Sequence, residues 1–177
     1  MKRTHYATQI GIAQIGLEVV LNGWVNTRRD HGGLIFIDLR DRSGIIQAVC
    51  NPELDQAAFA VAEQVRGEHV IAVRGTVQRR PADTENPNLK TGMVEISVAQ
   101  LQVFNKAKTP PFYIENNIEV DENLRLKYRY LDLRRPEMMD NLMLRHRIVK
   151  SIRDFLDDRD FVEVETPVLP YPTTSFY

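Results

Sequence analysis

The first hundred residues alternate hydrophobic and polar positions in short stretches, which is the pattern of half-buried β-strands. Five such stretches lie between residues 18 and 104, and turn residues such as Gly32 and Gly33 separate them. Between the third and the fourth stretch, residues 52–68 are rich in alanine, glutamate and glutamine, which favours a helix. Five strands with one helix between the third and the fourth is the order of an OB-fold barrel. The sequence therefore predicts a mainly β domain over residues 1–105.

The pattern changes after residue 105, where proline and polar residues indicate a linker. Asp121 is placed to cap a helix over residues 122–133, and Pro136 opens a longer helix that runs to Asp158. Apolar residues recur at helical spacing between Leu142 and Leu156, which predicts a broad buried face. A short strand, FVEVETP, is predicted over residues 161–167.

Composition narrows the functional classes. The 177 residues, 43% of them hydrophobic, suffice for one ordinary domain and part of another. A net charge of −1 means that any nucleic-acid site is a local patch. The single cysteine, Cys50, excludes an internal disulfide and a cysteine-based zinc site, and we expect a buried thiol. The four histidines lack metal-ligand spacing, and no apolar run approaches the length of a membrane helix, so we expect no metal, no membrane and a cytoplasmic protein.

Strand alternation divides residues 34–41 into a core set, Ile35, Ile37 and Leu39, and an outward set that contains Phe36. The other outward side chains on this surface are polar: Asp38, Arg40, Gln47, Arg74, Thr76, Gln78, Arg80 and Glu95. A ring among such groups suits an unpaired base, because the ring stacks, polar groups read the base edge and arginines hold phosphates. The pattern alone leaves three alternatives open: a self-neutralising charged surface, a register slip that turns Phe36 inward, and a barrel that binds sugar or protein.

Three separated stretches carry a family resemblance. GWVNTRRDHGGLIFIDLRDRSGIIQ, residues 23–47, closely resembles the anticodon-binding domain of class IIb aminoacyl-tRNA synthetases, and most of all that of the bacterial aspartyl enzymes. LRLKYRYLDLRRPEM, residues 124–138, is similar to the hinge of the same family. FVEVETPVL, residues 161–169, resembles the first class II motif, a dimer-interface motif that ends in a proline, here Pro167.

The resemblance implies a domain division and site residues. It divides the chain into an OB-fold anticodon-binding domain (1–105), a linker and hinge (106–135), the start of a truncated class II catalytic domain (136–169) and a tail outside the family pattern (170–177). It implies that Phe36 stacks on the central anticodon base, and that Gln47 and Glu95 bond to that base or its neighbour. Three arginines would hold the backbone of the anticodon or its flanking bases: Arg28, Arg29 and Arg80. Alternation, however, puts Arg28 opposite Arg29, and Gln78 stands where many relatives have arginine.

His31 raises a question of specificity. Bacterial relatives that also charge asparagine tRNA often carry histidine at this loop position, whereas strict ones often carry an aliphatic residue. An exposed turn residue without a role in specificity is the alternative for His31.

The resemblance also implies what the whole enzyme uses. Full-length relatives are homodimers that use ATP and Mg²⁺ to charge tRNA with aspartate. The second and third class II motifs lie beyond the resemblance, so no catalytic residue is expected in these 177 residues, and the fragment alone is predicted to bind tRNA without catalysis. A designed fragment, a disrupted gene and an added tail are all compatible with such an ending.

The resemblance thus implies the N-terminal part of an aspartate-tRNA ligase. The corresponding part of an asparaginyl- or lysyl-tRNA synthetase is an alternative within the family. A free-standing single-stranded nucleic-acid-binding OB module and an oligosaccharide-binding barrel are alternatives outside it, although the latter would be expected to expose more than one ring along its groove.

Overall fold

The computed structural model describes residues 1–166, and Pro167 lies outside the described residues. The chain forms two compact units, one from Met1 to Pro111 and one from Phe112 onward. Each unit is described by itself.

The first unit is a β-barrel. Its strands are β1 (Glu18–His31), β2 (Leu34–Arg40), β3 (Ile45–Cys50), β4 (Val70–Arg79) and β5 (Val94–Asn105), and the helix α1 (Gln56–Gln64) lies between β3 and β4 along the chain. The strands close in the order β1-β2-β3-β5-β4. All neighbouring pairs are antiparallel except β3 and β5, which are parallel. The predicted OB-fold order is confirmed.

The alternation of β2 is confirmed as well. Ile35, Ile37 and Leu39 are buried in the barrel core, and Phe36 and Asp38 between them are partly exposed on the outer face. His31 and Leu34 pair at the end of the β1–β2 hairpin, whose loop residues Gly32 and Gly33 have φ of 61° and 76°. Two successive positive φ angles are what a two-residue type I′ turn requires, and glycine adopts them without a steric cost.

The N-terminal residues also contribute to the barrel core, which the sequence pattern did not predict. Two short 3₁₀ turns, Ala7–Gln9 and Ile12–Gln14, precede β1, and Ala7 and Ile10 are buried in the core. The Ala7 amide donates to the Asp41 carboxylate at 2.8 Å, and the Thr4 amide donates to the Val20 carbonyl at 2.9 Å. Turns this short carry no period of their own, so only tertiary contacts reveal them.

The second unit contains the helices α2 (Glu122–Lys127), α3 (Arg129–Asp132) and α4 (Pro136–Asp157). The single helix predicted over 122–133 is wrong, since it breaks at Tyr128, whose φ of −108° and ψ of 45° are not helical. Asp132 is fully buried and accepts hydrogen bonds from Arg129 and Arg135, which fixes the turn before α4. Pro136 occupies the first turn of α4, as predicted.

Two predictions for this unit differ from the structure. Nearly every residue of α4 is exposed, including Leu142, Ile148 and Phe155 of the predicted buried face. Residues 161–166 form no strand, and the rest of the predicted strand lies outside the described residues. A strand needs a hydrogen-bonded neighbour, and the described part of this unit offers no ladder. No helix within residues 1–166 is long and apolar enough to cross a membrane.

Candidate nucleic-acid interface

A β-bulge in β1 decides which of its side chains reach the outer face of the barrel. Before the bulge, Val19, Leu21 and Val25 point into the core. The pairing with β2 shifts by one residue between Val25 and Thr27, so that Arg29 lies opposite Phe36. Residues directly opposite each other on paired strands share a face. Arg29 therefore stands beside Phe36 on the outer surface.

The β1–β2 hairpin, β3 and the β4–β5 loop surround an open cleft of about 660 Å³. Its lining residues are Arg29, Asp30, His31, Phe36, Gln47, Arg80, Asp83, Thr84, Glu85 and Asn86. Five of the seven predicted nucleic-acid contacts are among them. The four loop residues 83–86 were missed, because the loop has no periodicity from which its direction could be read.

A row of polar side chains crosses four strands at the side of this cleft. Asp38 lies opposite Gln47, which lies opposite Glu95, which in turn lies opposite Gln78. Gln47 donates to the Glu95 carboxylate at 2.9 Å, and Gln78 donates to the other carboxylate oxygen at 3.4 Å. Gln47 and Glu95 were expected to be outward; they do lie in that row, but only 7% and 5% of their surface is exposed. The network fixes their orientation before any ligand binds.

Arg29 joins this row from the edge of the cleft. Its Nη2 donates to both carboxylate oxygens of Asp38 at 3.0 and 3.1 Å and to Gln47 Oε1 at 3.3 Å. Burial raises the pKa of Asp38, and the charges of Arg29 and Arg80 oppose this rise. About half of the Arg29 side chain is exposed, so the guanidinium remains open to a ligand.

Arg80 lines the cleft but is itself buried. It is 6% exposed, its Nε donates to the Val94 carbonyl at 3.2 Å, and its Nη1 donates to the Thr84 carbonyl at 3.4 Å. Its Nη2 is buried and has no hydrogen-bond partner within the described residues. Burial lowers the pKa of Arg80, and the carboxylates of Glu95 and Asp38 oppose this effect. A buried unpaired donor is costly, so an acceptor on a ligand would relieve that cost.

Two rim carboxylates of the cleft, Asp30 and Glu85, have cationic partners. Asp30 pairs with Arg28 at 3.6 Å, and Glu85 pairs with Arg79 at 3.3 Å. Neither arginine lines the cleft. The cleft is therefore not a strongly positive surface, and its chemistry favours specific hydrogen bonds and stacking over bulk phosphate attraction.

The structure does not bring Arg28 into the cleft. Arg28 lies opposite the buried Ile37, and its Nε donates to the carbonyl of Ala62 in α1 at 3.0 Å. The bulge is the physical reason, since it exchanges the faces of two adjacent residues. Arg28 thus ties β1 to the end of α1, and the sequence prediction had left its direction in conflict with Arg29.

Comparison with known proteins agrees with this architecture. Residues 19–104 match the family of OB-fold nucleic acid binding domains, and residues 121–175 match the class II tRNA synthetases (D, K and N). The second match includes most of residues 170–177, the segment predicted to depart from the family pattern. An OB-fold nucleic-acid-binding barrel followed by a class II synthetase segment defines the chain as part of a class II tRNA synthetase.

Individual relatives narrow the family. The chain is 69% identical over 98% of its length to an aspartate-tRNA(Asp/Asn) ligase of Syntrophomonas wolfei, of which it covers 30%. It is 54% identical over 97% of its length to an aspartate-tRNA ligase of Staphylococcus aureus, of which it covers 29%. The crystal structure of asparaginyl-tRNA synthetase from Pyrococcus horikoshii superimposes with a TM-score of 0.78 at 28% identity, covering 95% of this chain and 40% of that one.

The chain belongs to the aspartyl-tRNA synthetases, and its barrel is their anticodon-binding OB domain. It corresponds to the N-terminal part of these enzymes and spans about 30% of the length of the curated relatives that it matches.

Proposed function

We propose that this chain binds the anticodon loop of a tRNA in the cleft between the β1–β2 hairpin and the β4–β5 loop, as part of an aspartate-tRNA ligase. The observation that carries the proposal is the pairing of two features in one cleft. Phe36 offers a ring on the barrel surface, and the buried Nη2 of Arg80 has no acceptor among the residues that the structure describes. An unpaired base supplies the stacking face, and a phosphate or a flanking base of the same strand supplies the acceptor.

Each remaining residue has a place in this proposal. The central anticodon base, a uridine in aspartate tRNA, stacks on Phe36. Gln47, oriented by Glu95, bonds to the edge of that base or of its neighbour. Arg29 and Arg80 hold the phosphates or the flanking bases. Arg28 has no contact with RNA in this proposal, because its side chain is engaged with α1.

His31 is proposed to govern tolerance at the third anticodon base, the base that separates aspartate from asparagine tRNA. It is exposed at the hairpin tip and lines the cleft. Relatives whose names include both tRNAs support a relaxed specificity. We accordingly propose that the anticodon GUU of asparagine tRNA is bound as well as GUC.

Binding of the 177-residue chain to three anticodon stem-loops, GUC, GUU and UUU, at one fixed salt concentration tests this function. We expect a preference for GUC and GUU over UUU. Phe36→Ala should weaken GUC binding by about 1–3 kcal/mol, the usual contribution of one stacked base. Phe104→Ala is the matched control, since Phe104 is exposed and does not line the cleft.

Three results would contradict the proposal in different ways. Equal binding of all three stem-loops would remove the anticodon specificity. Equal losses for Phe36→Ala and Phe104→Ala would place the RNA elsewhere. Binding of GUC without GUU would leave anticodon binding intact and reject the role of His31.

The whole enzyme is proposed to charge tRNA with aspartate in the cytoplasm as a homodimer, with ATP and Mg²⁺. In this proposal the chain comprises the barrel (1–105), the hinge (106–135) and the start of the catalytic domain (from 136), and the exposed apolar face of α4 is covered by a second subunit. Within residues 1–166, no group of three or more His, Cys, Asp or Glu side chains is placed to hold a metal ion. We assign no catalytic step to this chain alone, because the second and third class II motifs lie beyond the stretches that resemble the family. Aspartate-dependent ATP–pyrophosphate exchange by the 177 residues alone would reject that assignment.

A further inference from the structure

The turn between α1 and β4 contacts β1 at the bulge that separates Arg28 from Arg29. We propose that Glu68, in this turn, is a positioning residue that determines which of the two arginines faces the RNA. The part of this inference that concerns RNA rests on the proposed function, whereas the effect on strand register stands without it.

The bulge has a defined consequence for the two arginines. With the bulge, Arg29 lies opposite Phe36 and Arg28 lies opposite Ile37. Continuing the earlier pairing of Val25 with Leu39 without an extra residue would instead put Arg28 opposite Phe36. A one-residue change of register moves every later side chain to the other face. Whatever holds the bulge therefore selects Arg29 for the cleft.

Two backbone groups of the turn before β4 and one side chain of β2 contact β1 at the bulge. The backbone amide of Val25 donates to the His69 carbonyl at 2.9 Å, and the Glu68 amide donates to the Val25 carbonyl at 2.8 Å. These bonds fix the last regularly paired residue before the shift. The extra residue, Asn26, is held by its side chain, because its Oδ1 accepts from Arg40 Nη1 at 2.7 Å.

Glu68 completes this arrangement by fixing Arg40. Arg40 Nη2 donates to both carboxylate oxygens of Glu68, at 2.7 and 2.8 Å. About a fifth of each side chain is exposed, so the ion pair is less screened than an open surface pair. A single chain of contacts thus runs from Glu68 through Arg40 to Asn26.

The backbone of Glu68 indicates that its side chain matters. Its φ is 63°, in the left-handed region that glycine adopts freely and that costs other residues free energy. A residue with a side chain occupies that conformation here, and both oxygens of its carboxylate accept from Arg40. Replacement by glycine would relieve the backbone and remove only the contact that the inference requires.

The test uses the full chain with Glu68→Gly, Glu68→Gln, Arg29→Gln and the combination of Glu68→Gly with Arg29→Gln. We expect Glu68→Gly and Arg29→Gln each to weaken GUC stem-loop binding about tenfold, the loss typical of one charge-assisted contact. The combined variant should bind no more weakly than Arg29→Gln alone. Glu68→Gln, which retains an acceptor for Arg40, should lose less.

A matched control separates this effect from general electrostatics. Glu63→Gln removes the same charge from an exposed glutamate of α1. Removal of a carboxylate favours RNA binding through bulk attraction, so this control should leave the affinity unchanged or slightly higher. The loss expected for Glu68→Gly has the opposite sign.

A second measurement needs no RNA. Cross-strand nuclear Overhauser effects in the wild-type chain should connect Arg29 with Phe36, and in Glu68→Gly this signal should weaken or be replaced by one between Arg28 and Phe36. Unchanged pairing in Glu68→Gly would overturn the inference, and so would additive losses in the combined variant. Absence of RNA binding by the wild-type chain would reject the proposed function, and the pairing signal would still decide the role of Glu68.

Discussion

At the scale of single residues, neighbours with the same chemistry take different roles. Arg28 and Arg29 are adjacent, yet one donates to a carbonyl of α1 and the other to Asp38 and Gln47 beside the cleft. Composition and charge cannot distinguish them, because the difference arises from the bulge between Val25 and Thr27. Composition also fails to show that Glu95 and Arg80 are buried, although both carry charged groups and lie at or beside the cleft.

The buried thiol of Cys50 provides a prediction at this scale. Burial raises its pKa from the ordinary value of 9.0 to about 12, and the charge of Arg28 opposes this rise. The thiolate is the reactive form, so iodoacetamide should label the folded chain at pH 8 far more slowly than the chain in guanidinium chloride. Mass spectrometry measures the labelled fraction, and Cys50→Ala gives the background. Equal rates in both solvents would contradict the buried thiol.

The same shift predicts a pH dependence. The folded state holds the thiol proton more tightly than the unfolded state, so this contribution to stability is complete below about pH 9 and is lost as pH rises from 9 towards 12. Labelling of the folded chain should consequently remain slow at pH 9.

At the scale of elements, the candidate site depends on how strands approach each other. The polar row crosses β2, β3, β5 and β4, which are not in sequence order, and the parallel pairing of β3 with β5 puts Gln47 beside Glu95. The pairing of β4 with β5 shifts between Arg74 and Gly75, close to this row. Small residues at such shifts allow the backbones to come close together.

Gly75 gives a prediction for the β4–β5 pair. A Cβ at this position would lie 2.1 Å from the Ser97 carbonyl oxygen and 2.9 Å from Ile96, so the backbone must move to admit it. Gly75→Ala should lower the free energy of unfolding by about 1–3 kcal/mol, the usual cost of overpacking. Urea unfolding followed by circular dichroism measures this change.

Gly67→Ala is the control for this prediction. No heavy atom of the described residues lies within 4 Å of a Cβ added at Gly67. This variant should be unchanged or more stable by up to about 1 kcal/mol, because alanine restricts the unfolded chain. A similar stability for both variants would contradict the close approach at Gly75.

At the scale of the whole molecule, the first unit contains every residue of the candidate site. The cleft-lining residues and the polar row all lie between residues 29 and 95, within Met1–Pro111. The second unit instead presents apolar side chains of α4, such as Leu144, Ile152 and Phe155, to solvent. The barrel thus has its own hydrophobic core, whereas α4 exposes an apolar surface of the kind that a protein partner covers.

This difference predicts the behaviour of the first unit alone. Residues 1–111 should unfold in a single cooperative transition and bind the GUC stem-loop within about threefold of the full chain, because the core and cleft are complete within them. Circular dichroism and the binding titration measure both properties. Folding without binding would show that RNA capture needs the second unit, and failure to fold would contradict the independence of the barrel core.

Much of the fold could be predicted from the sequence, because strand alternation and helix signals are local. The order of five strands and one helix, the core set Ile35, Ile37 and Leu39, and the outward ring of Phe36 all follow from periodicity. The N-terminal turns and the cleft-lining residues 83–86 could not be predicted, since neither segment has a repeating pattern. The prediction of a buried face on α4 was wrong for a different reason. An apolar stripe indicates that a helix packs against a partner, but it does not show that the described residues supply that partner.

The barrel, its outward ring of Phe36 and membership of the aspartyl-tRNA synthetases follow from the sequence, because periodicity and motifs are properties of residues that lie close together along the chain. Only the folded structure shows that Arg29 and not Arg28 reaches the cleft, and that Gln47 and Glu95 are buried in one hydrogen-bonded row. It also shows that one donor of Arg80 has no partner within residues 1–166. These facts depend on a bulge held by Glu68 and Arg40 and on the pairing of strands distant in sequence. Such contacts form only when the barrel closes.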